Sequence, residues 1–170
     1  MVRDTLPTLL AHAKQLVIDA DALNAIAGDT ALQALLLARS ARGHPTVLTP
    51  HPLEAARLLT ISAAEVQADR LAAANALVAR YGAVVVLKGS GSIVAAPAAL
   101  PSINPTGNGR LATSGTGDVL AGWIGGFWAQ GKDARTVAIA AVWQHGWAAQ
   151  CTSGDGPLRA ADLIEAMARA

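Results

Sequence analysis

Three short runs that are apolar on both faces constrain the fold most: Leu16-Val17-Ile18, Thr46-Val47-Leu48-Thr49 and Ala83 to Leu87. None shows the apolar–polar alternation of a strand with one wet face. A strand without a polar face must be covered on both sides, as in a parallel sheet between helical layers. Each run ends at a breaker or a polar residue: Asp19, Pro50, and Lys88-Gly89. Helical spacing fills the intervals between them. The pattern predicts an α/β fold with a mostly parallel sheet.

The flanking signals place the other elements. Thr30 to Arg42 has helical spacing and ends at Gly43, a good residue just past a helix. Pro52 at a first helical position opens a helix through about Leu59. Ser62 and Glu65 form a capping-box pattern for a helix running to about Arg80. Ser90-Gly91 turns the third strand into a fourth, Ile93 to Ala96. Pro101 to Gly117, rich in Pro, Asn and Gly, reads as a long loop, and such loops are usually functional or disordered. Helices are expected from about Asp118 to Gln130, Ala134 to Gln150 and Ala160 to Ala168. Before Leu16 the apolar stretch is broken by Pro7 and His12, so the chain is expected to enter almost directly into its first strand.

Composition narrows the function classes. With 170 residues the chain fits one domain, and 52% hydrophobic against 15% charged residues rules out a disordered chain. Thirteen Lys+Arg against 12 Asp+Glu leave +1, so no general electrostatic attraction to nucleic acid or an anionic membrane is expected. Aromatics at 4% also argue against base-stacking platforms. The single cysteine, Cys151, forms no internal disulfide or cysteine zinc site, which suits a reducing cytoplasm. No apolar run approaches the roughly 18 residues needed to span a bilayer, and the start does not read as a signal peptide. Abundant alanine favours helices and points to a GC-rich bacterial genome.

Five segments carry candidate chemistry. In Ser114-Gly115-Thr116-Gly117-Asp118 glycines let a ligand approach the backbone just where a helix begins. Free N–H groups and the helix dipole make such a place suited to phosphate, and Asp118 is placed to take a proton from an attacking hydroxyl. The alternative is a tight turn with Asp118 as a first-turn residue. Lys88-Gly89-Ser90-Gly91-Ser92 follows a strand and either holds phosphate or makes a hairpin turn. Thr49-Pro50-His51-Pro52-Leu53-Glu54 fixes His51 in a stiff loop, for a ligand or as a loop residue beside a helix-start glutamate. Asp19, Asp21 and Asn24 either approach Mg²⁺ and its waters or cap the following helix. Asn104-Pro105-Thr106-Gly107-Asn108 touches a ligand or forms turns. His145 reads as a core histidine, and the tryptophans as packing. In an open parallel sheet the strand C-termini share one crevice, which gathers the first four segments.

Together these residues resemble a known family. Asp19-Ala-Asp-Ala-Leu-Asn, Thr49-Pro-His-Pro, Val86-Leu-Lys-Gly-Ser-Gly-Ser, Asn104-x-Thr-Gly-Asn and Ala112-Thr-Ser-Gly-Thr-Gly-Asp-Val-Leu-Ala-Gly are similar to motifs of the ADP/ATP-dependent NAD(P)H-hydrate dehydratases. These belong to the ribokinase-like superfamily, a carbohydrate kinase-related group. The resemblance runs from about Leu16 to Ala149. It implies a three-layer α/β/α ribokinase-like fold, with residues 1–170 as a single partial domain corresponding to the C-terminal part of the family's domain.

The implied reaction is metabolite repair. The hydroxyl on the hydrated nicotinamide of NADHX or NADPHX is phosphorylated by ADP or ATP with Mg²⁺, and phosphate elimination restores NADH or NADPH. By motif, Asp118 would be catalytic, and His51 and Asp118 would contact the hydrate. Lys88, Gly89, Ser90, Gly91, Ser92 and Gly117 would bind nucleotide, and Gly115, Thr116 and Gly117 would form the anion hole. Asp19, Asp21, Asn24, Glu54 and Asn104 would lend support; metal ligands are not assigned. Leu53 and Ser114 stand where the family usually has glycine. A cytoplasmic homo-oligomer, a tetramer by resemblance, is also implied. The alternatives are a ribokinase-like kinase for a thiazole or pyrimidine alcohol, which needs no His51, and a non-catalytic ADP/ATP-binding module.

Overall fold

The structure, a computed structural model, describes residues 2–154 and 156–169. Five strands form one sheet in the order β1-β2-β3-β4-β5: Leu16–Ile18, Thr46–Leu48, Val84–Leu87, Ile93–Ala95 and Ser102–Ile103. The first three run parallel, and β4 and β5 add antiparallel. The three predicted apolar runs are therefore the parallel core of a mixed sheet.

Alternate residues of each strand feed two different cores. Ile18, Leu48, Val85, Leu87, Ile93 and Ala95 pack with Leu23, Ile26, Leu36, Leu58, Leu77 and Tyr81. Those residues come from α2 (Ala20–Ala27), α3 (Thr30–Ala41), α4 (Pro52–Leu59) and α6 (Arg70–Tyr81). Val47, Val84, Val86, Val94 and Ala96 turn the other way, onto Leu120, Ile124 and Trp128 of α7 (Thr116–Trp128) and Val137 to Val142 of α8 (Ala134–Cys151). The β-branched valines suit a pleat covered on both faces. A third cluster joins α8 to α9 (Ala160–Arg169) through Ala148, Ala149, Leu163 and Met167. This is the expected three-layer α/β/α arrangement.

Several expectations are corrected. An eleven-residue helix, α1 (Val2–His12), precedes β1. Pro7, midway along α1, removes a single helical donor, while Leu6 and Leu10 are buried against α3. Arg39, 1% exposed, donates to the carbonyls of Leu9 and Leu10, and Arg42 to those of Leu10 and Ala11. The carbonyls at the end of α1 are thus satisfied by side chains some thirty positions on. The helix expected from Ser62 to Arg80 breaks in two, α5 (Ala63–Ala68) and α6. Asp69 leaves helical geometry there and caps α6, accepting from the Ala72 N–H at 2.8 Å. The long loop holds β5 and a 3-10 turn at Gly109–Leu111, and α7 begins at Thr116 rather than Asp118.

Candidate active site

The parallel strands deliver their following residues to one end of the sheet. The Thr49 N–H donates to Ile18 O at 3.1 Å, and the Lys88 N–H donates to Pro50 O at 2.8 Å. The exits of β1, β2 and β3 are therefore tied side by side. Lys88 reaches across to Asp19, with Nζ 2.6 Å from Oδ1. A Cβ on Gly117, in the first turn of α7, would lie 3.3 Å from Lys88 Nζ and 3.9 Å from Asp19 Oδ2. So β1, β3 and the start of α7 meet, and the glycine at 117 is what lets the lysine cross there.

A cavity of about 450 Å³ opens beside this meeting point. Its walls come from Lys88 to Ser92, from Asn104 to Gly109, from the start of α7 and from Val142, His145 and Gly146. That volume falls in the range of small-molecule sites. Gly115 precedes α7 with φ 88°, a left-handed backbone that glycine adopts without strain. The Thr116 N–H leans on Thr113 O at 3.4 Å, and its hydroxyl bonds to the carbonyls of Leu111 and Thr113. Among the described residues no backbone carbonyl takes the Gly117 and Asp118 N–H groups, so these two amides are open to an anion. The Thr116 side chain holds the turn together, whatever its backbone does for a ligand.

The expected site residues divide into two groups. Lys88, Gly89, Ser90, Gly91, Ser92, Asn104, Thr116 and Gly117 line the cavity. Asp118 lies one residue beyond, exposed, with no side-chain hydrogen bond or ion pair among the described residues. Gly115, His51, Asp19, Asp21, Asn24 and Glu54 are outside the lining. His51 caps α4: its Nδ1 accepts from the Leu53 and Glu54 N–H groups at 3.1 and 3.4 Å. Buried Glu54 returns the bond from the His51 N–H at 2.8 Å and lies 3.3 Å from His51 Nε2. With Nδ1 accepting, a neutral imidazole carries its proton on Nε2. Asn24 accepts from Arg57 at 2.6 Å and braces α2 against α4. Asp21 is exposed.

Other residues were not legible as part of the site. Arg70 of α6 donates to the carbonyls of Ser90, Leu87 and Lys88. A Cβ on Gly89 would strike its Nη2 at 2.8 Å. The guanidinium, its pKa lowered by burial, thus grips the Lys88–Ser90 loop from behind. His145 is the buried histidine that its apolar helix predicts, but it also lines the cavity. Its Nε2–H donates to Thr116 O at 2.9 Å, and burial, with Lys88 adding to it, holds its pKa below the usual value. The Asn104–Asn108 wall is strapped to α8. Thr106 donates to Trp143 O at 2.8 Å, Asn104 to Val142 O at 3.4 Å and Asn108 to Ala149 O at 3.3 Å. A signal for Arg70 was absent, because its target is backbone seventeen or more residues away.

A divalent cation does not fit these side chains as a resident ion. Among the described residues no three His, Cys, Asp or Glu gather as a metal site, and Asp19 is already paired. Mg²⁺ here would have to arrive on the phosphates of a nucleotide.

Comparison with known proteins agrees with this geometry. The family profile described as NAD(P)H-hydrate dehydratase (Carb_kinase) matches residues 2–168. The ADP-dependent (S)-NAD(P)H-hydrate dehydratase of Neisseria meningitidis is 48% identical over 136 residues, 80% of this chain and 45% of that protein. A bifunctional NAD(P)H-hydrate repair enzyme of Moorella thermoacetica is 40% identical over 97% of this chain and 30% of its own length. The crystal structure of the ADP/ATP-dependent NAD(P)H-hydrate dehydratase of Bacillus subtilis, co-crystallised with ATP/Mg²⁺, superposes with a TM-score of 0.85 and 32% identity, over 99% of this chain and 58% of that one. The chain thus spans about half the length or less of the curated relatives it matches. Its sequence match, its ribokinase-like architecture and its glycine-flanked crevice agree: the chain belongs to the NAD(P)H-hydrate dehydratase family.

Proposed function

We propose that this chain carries the nucleotide and phosphoryl-transfer site of a dehydratase that returns NADHX or NADPHX to NADH or NADPH. The observation that carries the reading is the approach of Lys88 to the open N-terminus of α7, at 3.3 Å from the Gly117 Cβ position, beside a glycine-lined cavity. Phosphates of ADP or ATP lie along Lys88 to Ser92. The terminal phosphoryl group faces the Gly117 and Asp118 amides, whose positive field stabilises charge developing on its oxygens.

Asp118 is the only carboxylate in the first turn of α7, and among the described residues no side-chain partner holds it. It takes the proton as the ring hydroxyl attacks the terminal phosphorus. The phosphorus bond to the departing nucleotide breaks, leaving the ring oxygen phosphorylated. In the second step the ring carbon–oxygen bond breaks with that electron pair leaving on phosphate. The neighbouring ring carbon gives up a proton, and the double bond reforms. Phosphate replaces hydroxide as leaving group, which is why a nucleotide is needed. No step is assigned to Mg²⁺, which enters with the nucleotide. His51, half exposed at the start of α4 with Nε2 held beside Glu54, offers the open face of its ring to the hydrate.

We extend the reading to a cytoplasmic homo-oligomer. The free Cys151 suits a reducing compartment. The stacked, exposed Trp143 and Trp147 suit self-association, which light scattering after size exclusion reads. The test of activity follows return of reduced-nicotinamide absorbance from hydrated NADH with Mg²⁺ and ADP or ATP. Nucleotide-dependent recovery that Asp118→Asn abolishes is expected. Recovery without nucleotide, or undiminished in Asp118→Asn, overturns the mechanism; absence of ADP binding by calorimetry overturns the site.

A further inference from the structure

Among the described α-helices, five are capped by the side chain that precedes them, and one carboxylate placed to do the same does not. Asp29, His51, Ser62, Asp69 and Asp133 each stand before a helix and accept from its first N–H groups. Asp19 stands at the same place before α2, with extended φ −138° and ψ 167°, yet makes no side-chain cap. Its neighbour Ala20 takes φ 49°, a left-handed conformation unfavourable for a residue with a side chain. The foregone cap and the strained alanine together release the carboxylate toward Lys88, sixty-nine positions along the chain and 2.6 Å away. The pair is largely enclosed, with side chains 19% and 11% exposed. The second oxygen of Asp19 sits 3.9 Å from the Gly117 Cβ position, against the first turn of α7. A phosphoryl oxygen would compete for that same electropositive space.

We propose that Asp19 is a positioning residue that acts as the exchange partner of Lys88. It stands in for the phosphoryl group while the site is empty and yields the lysine when nucleotide enters. This rests on the reading of Lys88 as a phosphate ligand. Without phosphate, Asp19 neutralises both the ammonium and the positive helix end, so the lysine stays folded across the glycine rather than extended into solvent. An incoming phosphate must draw Lys88 away and tolerate a carboxylate beside it. Asp19 therefore weakens phosphate affinity, and it recaptures the lysine as phosphate departs. A cap or a brace has the opposite signature, since its loss weakens binding or leaves it alone.

The experiment is calorimetric titration of ADP and, separately, of inorganic pyrophosphate into wild type, Asp19→Asn, Asp19→Ser, Lys88→Met and Asp19→Asn/Lys88→Met. Circular dichroism checks each fold, and the serine variant substitutes if asparagine does not fold. Removing one competing, partly enclosed ion pair is expected to tighten both ligands about three- to tenfold. The gain should vanish in the Lys88→Met background. Unchanged or weaker binding in both Asp19 variants overturns the exchange. Tightening for pyrophosphate with no ADP binding in any variant keeps the exchange and overturns the nucleotide reading. Binding of neither ligand by any folded variant overturns both.

Discussion

Gly146→Ala tests the packing that builds the cavity wall. Gly146 lies inside α8, where alanine is normally better than glycine by about 1 kcal/mol. Here an added Cβ would lie 2.6 Å from the Thr106 carbonyl carbon and 2.8 Å from the Gly107 nitrogen, and closer still to Thr106 Oγ1. Two of those three atoms are backbone, so no rotamer change relieves the contact. The Asn104–Asn108 segment must lift, which breaks the Thr106 bond to Trp143 O and the Asn104 bond to Val142 O. Overpacking costs about 1–3 kcal/mol, and each lost hydrogen bond about 0.5–1.5 kcal/mol. Set against the propensity gain, the net expectation is destabilisation by about 1–5 kcal/mol, a fall in Tm of roughly 2–20 °C for a chain of this size. Gly122→Ala and Gly126→Ala are the controls, because a Cβ at either position in α7 meets nothing within 4 Å. They should stabilise by about 0.5–1 kcal/mol. Urea unfolding of the three variants reads the signs directly. A stabilised Gly146→Ala would refute the claim that this glycine exists for the loop contact.

Other perturbations have defined outcomes. Arg70→Met removes the donors behind the Lys88–Ser90 loop; ADP affinity should fall about tenfold, with about 1–3 kcal/mol of stability, by calorimetry and urea titration. Asp29→Ala deletes a made cap, with bonds of 2.8 and 3.2 Å, and should cost about 1 kcal/mol in the same titration. His145 has a folded pKa below its ordinary 6.5, so the unfolded chain binds the extra proton. Its contribution to stability is full above about pH 6.5 and is lost as pH falls from there through the lowered folded value. His145→Gln should flatten the drop in unfolding free energy between pH 7 and 5; an unchanged slope would remove His145 as its source.

Local signals in the chain were read well where the physics is local. Gly43 ends its helix with φ 67°, and Ser62 and Glu65 make the capping box their spacing announces. The apolar runs became the parallel strands because no other environment accepts a strand without a polar face. Where elements are held by partners far along the chain, the reading failed. Pro7 suggested a break, yet α1 persists because Arg39 and Arg42 satisfy its last carbonyls. Apolar spacing from Ser62 to Arg80 carried no sign that Asp69 would turn to cap a second helix.

The same division runs through the site. Sequence alone marked the glycine-flanked turn before a helix and the strand-end lysine, because turn chemistry and two-sided burial fix where such residues can lie; it set the helix start two residues late, and of the four segments gathered into one crevice only Lys88–Ser92 and the start of α7 line the cavity. Tertiary structure decided what each side chain touches. His51 and Asp19 are both residues before a helix, yet one caps it and the other crosses to Lys88. Short-range rules cannot separate them. The choice depends on a lysine brought alongside only after β1 and β3 take their places on either side of β2, where its unscreened charge outweighs a cap.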